Sequence, residues 1–319
     1  YKEIEQERGT KIITFATSDR PNCETQIAQD CIDAFVNTLN GIGPTEKISL
    51  FIHTNGGNTS TAWRIANLLQ CFCDHLEVII PLKAMSSGTL ISLGANTLVM
   101  TKQAALGPID PSLTHPLGPT LQTPAGLARV PVSVEAVRGY LDAATQDFGI
   151  KDDAALASIL IDLSSKIHPL VLGEIFRSRS QIRFLADKLV RKQVTDDKKI
   201  KTIIEFLCSD SGSHDYTINR REAESMGLHI EKPDMEFYKK IEAIHNDYTN
   251  EMQLLEPYSP EVMLGGNTNH SYSLVRSLVE SSDAGCYAFL SVGELSLHPQ
   301  AVPGSILDKR TFEGWRKVA

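Results

Sequence analysis

The chain has 319 residues, of which 42% are hydrophobic and 22% charged, a composition typical of a folded globular protein and unlike collagen-like or disordered chains. Its 31 Lys and Arg against 39 Asp and Glu give a net charge of −8, which argues against nucleic acid or an anionic membrane as the main partner, because both require a basic surface. At about 150 residues per domain, this length predicts two domains or one large domain with an appendage.

The first third of the chain alternates short apolar runs with segments whose apolar residues recur at helical spacing. This pattern predicts β-α-β crossovers in an α/β fold. Residues 48–53 form a nearly continuous apolar run, which is typical of a parallel strand buried on both faces. Further strands are predicted at 11–16, 77–81 and 97–101, and helices at 25–39, 60–72 and 87–96.

A proline-rich stretch over residues 106–131 follows, and loops of this length in compact domains are commonly functional or mobile. Beyond it the chain is predicted to be mainly helical, with Pro169 in the first turn of the longest helix, where its missing N–H is tolerated. Helices are expected at 134–148, 152–162, 169–192, 217–227 and 235–252. The character changes from residue 232, where we expect a polar turn at 265–271, a helix at 271–280 and a strand at 284–290.

The six cysteines include no C-x-x-C pair, so we expect buried, reduced thiols in a cytoplasmic protein rather than a disulfide framework. No apolar run reaches the ~18 residues of a membrane helix, so no membrane association is visible in this sequence. Metal-ligand spacing, a P-loop and a dinucleotide fingerprint are also missing, so no metal or other cofactor is expected. Because the chain begins with Tyr1 rather than Met, we expect a fragment, which leaves a removed N-terminal anchor or signal open.

A glycine-rich turn, Asn55-Gly56-Gly57, joins the end of a predicted buried strand to the start of a helix. Adjacent glycines at such a point allow backbone N–H groups to face a cleft, which makes an anion or oxyanion site. The alternative is a tight strand-to-helix turn that needs glycine only for its positive φ.

A second turn, over residues 84–89, places Ser86 and Ser87 between a strand and the next helix. A serine at this position is exposed at the carboxyl end of a strand, and the following N–H can complete an oxyanion hole. The alternative is an ordinary serine N-cap. The two turns belong to successive β-α units, so we expect them to meet at the carboxyl edge of the sheet, where α/β sites lie.

These two segments resemble the Clp-protease/crotonase fold: residues 48–57 read ISLFIHTNGG and residues 83–92 read KAMSSGTLIS. The chain most resembles the serine dehydrogenase proteinase family, relatives of signal peptide peptidase A, over about residues 10–230. Further segments that match the family are LGPIDP at 106–111, KIHPLVLG at 166–173 and SHDY at 213–216. The positions Glu222-Ala223 and Gly227-Leu228 also match. The resemblance implies a spiral of β-β-α units, with residues 1–231 as the peptidase domain and 232–319 as a C-terminal α+β appendage of unknown role.

The gapless register of this resemblance implies that Ser86 is the nucleophile and that Gly56, Gly57 and Ser87 form the oxyanion hole. Gly57 and Ser87 would supply the N–H donors. Asn55 replaces the proline that usually precedes the two glycines, and this departure leaves the glycines intact.

The resemblance leaves several candidates for the base that activates Ser86. Where the Clp proteases place histidine, this sequence has Asp110, and a carboxylate is a poor base for serine near neutral pH. His115 is a second candidate. Signal-peptide-peptidase relatives use a Ser-Lys dyad, which implies Lys166, because a desolvated lysine loses its proton readily. His214 and Asp215 are an alternative base and orienting acid, while His168 is expected only to cap the helix at 169.

The implied function is an ATP-independent serine peptidase that cleaves peptides or unfolded protein segments through an acyl-enzyme on Ser86. We expect a homo-oligomer, because the helix at 169–192 carries more apolar residues than one packing face needs. Two alternatives remain: a crotonase-type acyl-CoA enzyme, which needs no nucleophilic serine, and a non-catalytic scaffold or binding module in which Ser86 only caps a helix.

Overall fold

A sheet of eight strands organises the fold within residues 1–109, 112–123, 126–210, 216–297 and 305–318, which are the residues that this computed structural model describes. The strands of the described residues are, in chain order, β1 (Lys11–Thr17), β2 (Thr45–His53), β3 (Cys73–Ile80), β4 (Lys83–Ala84), β5 (Thr97–Met100), β6 (Ala105–Leu106), β7 (Ser112–Leu113), β8 (Thr120–Thr123), β9 (Gly126–Arg129), β10 (Val132–Ser133), β11 (Ile218–Asn219), β12 (Ile230–Glu231), β13 (Asn269–Ser281), β14 (Gly285–Leu297) and β15 (Ile306–Lys317).

The α-helices of the same ranges are α1 (Lys2–Arg8), α2 (Ile32–Ile42), α3 (Thr59–Phe72), α4 (Ser87–Leu93), α5 (Val134–Asp142), α6 (Asp153–Lys166), α7 (Pro169–Val190), α8 (Asp197–Glu205), α9 (Arg220–Met226), α10 (Met235–Glu251) and α11 (Pro260–Leu264). A 3-10 turn (Gln29–Cys31) precedes α2, and π-helical turns follow α5 (Ala143–Asp147) and α8 (Phe206–Asp210).

The order of strands across the large sheet is β12-β5-β3-β2-β1-β13-β14-β15. The first five strands are parallel, and β13 begins an antiparallel half by pairing with β1. A small sheet, β11-β6-β4, lies at the carboxyl ends of the parallel strands. Long strand, short strand and helix therefore repeat, as in β3-β4-α4, and the predicted α/β spiral of β-β-α units is confirmed.

The large sheet is covered on both faces, which explains the continuous apolar run in β2. Ile48, Leu50 and Ile52 face the main core, where α2, α3, α4, α7 and α8 pack. Phe51 faces the opposite side, together with α1 and α10. The carboxyl ends of the strands remain at one edge of this layered structure, where α/β folds bind their substrates.

Residues beyond 232 are built onto the same sheet. Helix α10 covers its second face, and β13 pairs with β1 in an antiparallel register, for example Thr14 with Glu280. The division into 1–231 and 232–319 stays a prediction. The predicted helix at 271–280 is wrong, because these residues lie in β13. A bulge between Val275 and Ser277 shifts the buried side of that strand by one residue, which imitates helical spacing.

Other predicted elements differ in detail. The predicted helix at 25–39 becomes helical only at Gln29, and residues before it are extended so that Ile27 forms a parallel bridge with Gly57. The expectation of buried thiols holds for Cys23 and Cys31, whereas Cys71 is exposed. Within the described residues, no single helix is both long and apolar enough to cross a membrane. Helices α6 and α7 reach the length and apolar composition of a membrane span only when they are taken together, and the chain bends by 100° between them.

Candidate active site

The two predicted turns meet at the carboxyl edge of the sheet. Thr54, which follows β2, forms a parallel bridge with Ala84 of β4. The Thr54 amide donates to the Lys83 carbonyl (3.2 Å), and the Met85 amide donates to the Thr54 carbonyl (2.9 Å). The expected meeting of the turns is therefore confirmed, and the backbone bridge fixes their separation.

Both glycines of the first turn are required by close approaches. Gly56 has φ 103°, and a Cβ atom there would lie 2.8 Å from the Cβ of Ser86. Gly57 has φ 143°, and its Cβ would lie 2.3 Å from the carbonyl oxygen of Ile27. Hydrogen bonds from Ile27 N to Gly56 O (2.8 Å) and from Asn58 N to Ile27 O (2.7 Å) hold this approach.

Ser86 has a backbone conformation that a non-glycine residue rarely adopts, with φ 50° and ψ −111°. It is the residue before α4, yet its side chain makes no capping hydrogen bond. Strained serines of this kind are found where surrounding contacts impose the geometry, often at active sites. The simple N-cap interpretation of Ser86 is therefore not supported.

Two backbone donors flank Ser86. The Gly56 amide donates to Thr54 Oγ1 (3.0 Å), but in the part of the chain that is described the amides of Gly57 and Ser87 have no acceptor. Ser87 is buried, and its hydroxyl donates to the Gly57 carbonyl (2.6 Å), which couples the two donors. A pair of unoccupied N–H groups beside a half-buried serine is suited to stabilising an oxyanion.

Gly107, which lies in the motif predicted at 106–111, supports the second turn. Thr89 Oγ1 lies 2.8 Å from the Ala84 carbonyl oxygen and 2.7 Å from that of Gly107, whose amide donates back to it (3.0 Å). A Cβ at Gly107 would lie 2.7 Å from the Met85 methyl carbon. Sequence reasoning missed Thr89, although its fixed distance of three residues from Ser86 was visible.

The candidate bases are less well placed. Lys166 is exposed in the last turn of α6, and no contact in the described ranges joins it to Ser86. Asp110, His214 and Asp215 lie outside the described residues. His168 accepts the Leu170 amide through Nδ1 (3.2 Å), so its expected role as a helix cap is confirmed.

His115 is not arranged to act as a base. Its Nδ1 accepts the Leu117 amide (3.0 Å), and its Nε2 lies 3.4 Å from the Glu174 carboxylate. Both ring nitrogens are therefore engaged by other groups in the described part of the chain, and no contact there joins His115 to Ser86.

An ionic cluster that the sequence did not reveal lies beside the two turns. Asp19, just after β1, pairs with the Lys83 ammonium and lies 3.5 Å from Nε2 of the buried His53. Burial would raise the pKa of Asp19, but its close approach to His53 and Lys83 outweighs burial and lowers that pKa. In the described residues, no group of three or more His, Cys, Asp or Glu could hold a metal ion.

Residues 32–123, which contain both turns, match the model of a family of ClpP-like SDH-type serine proteinases. This segment is therefore similar to that family over about 29% of the chain. The match confirms the resemblance deduced from the motifs around Gly57 and Ser86. Because it spans both turns, it covers the proposed nucleophile and all three proposed oxyanion residues, but it ends before Lys166.

Two curated relatives come from Methanocaldococcus jannaschii. The uncharacterized protein MJ0137 is 33% identical over 205 residues, which are 62% of this chain and 60% of that protein. The uncharacterized protein MJ1495 is 29% identical over 237 residues, or 72% of this chain and 69% of that protein. The chain thus aligns with about three fifths of the first relative's length.

Similar solved structures include a mutant of the 1510-N membrane-bound stomatin-specific protease (15% identity, TM-score 0.39, 73% of this chain and 82% of that one). A second mutant of that protease, bound to a substrate peptide, has 15% identity and a TM-score of 0.41 over 71% of this chain and 75% of its own. ClpP1 from Listeria monocytogenes has 13% identity and a TM-score of 0.38 over 73% of this chain and 96% of its own. The similarity to the proteinase family rests on the sequence match to residues 32–123.

Proposed function

We propose that this chain is an ATP-independent serine peptidase that cleaves peptides or unfolded protein segments through an acyl-enzyme on Ser86. The observation that carries the proposal is the strained Ser86 between two unoccupied backbone donors, Gly57 and Ser87. The family match across both turns supports the same reaction class.

In this proposal the Ser86 hydroxyl attacks the peptide carbonyl carbon while a base takes its proton. The carbonyl oxygen becomes negatively charged, and the Gly57 and Ser87 amides stabilise it without reorganising. The C–N bond then breaks as the amine receives a proton, which leaves an ester on Ser86 that water hydrolyses. The bond from Ser87 Oγ to the Gly57 carbonyl keeps the two donors in register.

The base is proposed to be Lys166, with His214 and Asp215 as the alternative pair. Lys166 sits in an exposed helix end, so this role requires a substrate or a second subunit to desolvate it. A lysine that is desolvated loses its proton more readily and can then act as the base.

We further propose a cytoplasmic homo-oligomer. Ile182, Leu185 and Leu189 of α7 are buried against the subunit's own core, so part of the expected apolar excess is covered within one chain. Helix α6 buries none of its residues, however, and large apolar side chains stay exposed along both helices: Leu160, Ile161, Leu170, Phe176 and Phe184. Exposed apolar surface of this kind marks an interface, and closed rings are the usual way to cover it.

The decisive experiment combines a fluorophosphonate probe with turnover of a peptide substrate. We expect stoichiometric labelling of Ser86, no labelling or turnover in Ser86→Ala, and a much smaller loss of turnover in Ser87→Ala, which keeps its backbone N–H but loses the hydrogen bond to the Gly57 carbonyl. Lys166→Met should lose at least about 100-fold in turnover and His214→Ala less, because removal of a general base has that effect. The reverse order would assign the base to His214.

The same experiment separates the alternatives. A wild-type chain that neither labels nor cleaves would support a non-catalytic scaffold, while thioester turnover that survives Ser86→Ala would support a crotonase-type enzyme. Loss of turnover in Ser87→Ala but not in Ser86→Ala would show that the register is off by one residue.

A further inference from the structure

A cluster of charged and aromatic side chains lies at the same carboxyl edge, outside the proposed peptidase machinery. Asp19 follows β1, His53 ends β2 and Lys83 begins β4, so the ends of two strands and the start of a third contribute to it. One oxygen of Asp19, Oδ2, pairs with the Lys83 ammonium and also lies 3.5 Å from His53 Nε2. His53 is only 2% exposed, so this contact is shielded from solvent.

The cluster is joined to the two turns through Thr54, the residue after His53. The Thr54 amide donates to the carbonyl of Lys83, and its own carbonyl accepts the amide of Met85. Its hydroxyl oxygen accepts hydrogen bonds from Thr17 (2.8 Å) and from the Gly56 amide (3.0 Å). Movement of His53 or Lys83 would therefore be passed to the Gly56 turn and to the residue before Ser86.

Asp19 is itself held in place by its neighbour. The Ser18 amide donates to Thr25 Oγ1 (2.9 Å), and the Thr25 amide donates to the Ser18 carbonyl (2.8 Å). The chain then continues to Ile27, which bridges Gly57. The segment 18–27 thus connects the carboxylate to the first turn from the opposite side.

Helix α10 supplies further ionisable groups that face the cluster, including His245 and Tyr248, with Glu242 nearby on the same helix. The rings of His245 and Tyr248 lie 5.9 Å and 5.5 Å from that of His53. Burial lowers the pKa of His245, and the nearby His53 lowers it further, while burial raises the pKa of Tyr248. Both groups are therefore neutral near pH 7, and the charge that balances Lys83 comes from Asp19.

We propose that Asp19 is a positioning residue: by pairing with Lys83 beside the buried His53 it supports the backbone bridge that sets the separation of the Gly56–Gly57 turn from Ser86. The inference rests on the proposed peptidase function for its kinetic consequence only. Its structural consequence, the ordering of the Thr54–Gly57 backbone, does not depend on which reaction the site performs.

The test compares Asp19→Asn with two other variants. Asp19→Glu restores the charge, and Asp283→Asn is the matched control, because Asp283 makes an ion pair with Lys11 (2.8 Å) at the other end of β1. For Asp19→Asn we expect kcat to fall about 10–100-fold with KM changed less than about threefold, since small misplacements of reacting groups have effects of this size. Asp19→Glu should recover part of kcat, and Asp283→Asn should retain it.

Hydrogen exchange measured by mass spectrometry gives a readout that does not need turnover. Backbone amides at 54–57 and 85–88 should exchange faster in Asp19→Asn and at the wild-type rate in Asp283→Asn. If the wild type has no peptidase activity, the proposed function fails, yet faster exchange in Asp19→Asn alone would still support the positioning role.

Wild-type kcat and wild-type exchange in a folded Asp19→Asn protein would overturn the inference, and so would equal effects of Asp19→Asn and Asp283→Asn. If Asp19→Asn does not fold, Lys83→Met removes the opposite charge of the same pair and is measured in its place, with the same expected and contrary results.

Discussion

Replacing Gly57 by alanine tests the geometry of the proposed oxyanion hole most directly. Gly57 has φ 143°, and the added methyl carbon would lie 2.3 Å from the Ile27 carbonyl oxygen and 2.6 Å from its nitrogen. Real side chains essentially never come this close to backbone atoms, so the Ile27 segment must move away from the turn. The turn would have to adjust as well, which would displace the Gly57 amide relative to Ser86.

The size of the effect follows from what this movement breaks. Two hydrogen bonds join Ile27 to the turn, and each contributes about 0.5–1.5 kcal/mol. The strained backbone adds roughly 1–3 kcal/mol. The free energy of unfolding should therefore fall by about 2–6 kcal/mol, and turnover by about 100–1000-fold if one oxyanion donor is lost.

Gly9→Ala is the matched control, because Gly9 also has a positive φ (57°) but no atom within 4 Å of the added carbon. It should destabilise the protein by only about 1–2 kcal/mol and leave turnover unchanged. Urea unfolding and peptide turnover of both variants decide the matter. If Gly57→Ala matched Gly9→Ala in both measurements, Gly57 would not lie against Ile27 and would not be an oxyanion donor.

Two further expectations concern the rest of the molecule. Glu77 is fully buried and accepts hydrogen bonds from Ser49 and Arg8; burial raises its pKa, but these bonds outweigh burial and lower it. The ionised Glu77 carboxylate therefore stabilises the fold above about pH 4.5, and this stabilisation is lost as the pH falls below that value. At pH 7 the free energy of unfolding of Glu77→Gln should be about 3–5 kcal/mol lower than that of the wild type, and its urea midpoint should fall less steeply with decreasing pH. Parallel curves of urea midpoint against pH for the two proteins would contradict this. Phe184→Asp should dissociate the oligomer in light scattering, whereas Leu255→Asp, at another exposed site, should not; a monomeric wild type with full activity would rule the oligomer out.

The site motifs could be predicted from the sequence because they are local. Each turn joins a strand to its own helix, so the residues around Gly57 and Ser86 carry their geometry within a few positions. The contact of Asp19 with His53 and Lys83 could not be predicted in this way, because it depends on which strands are neighbours and on where each one ends. An isolated acidic residue after a strand has no sequence signal of its own.

The C-terminal strands show a similar limit. Strand β15 was not predicted, because it is an edge strand whose residues are mostly exposed and therefore show no apolar alternation. The predicted strand at 284–290 overlaps β14, which begins one residue later at Gly285 and extends to Leu297 because it pairs with both β13 and β15. The sequence thus predicts that a segment is a strand where one of its faces is buried. The length of a strand depends on the neighbouring strands with which it pairs, and the sequence pattern does not identify those.

The pairing of β13 with β1 has a consequence for how this protein can be divided. A chain cut after residue 231 would leave the backbone N–H and C=O groups along one side of β1 without partners and would uncover the face of Phe51 that α10 protects. An exposed, apolar parallel strand of this kind is a template for joining other chains edge to edge. The strand that leads to Asp19 would then be prone to aggregation, so residues 232–319 protect the parallel half of the sheet, whatever other role they have.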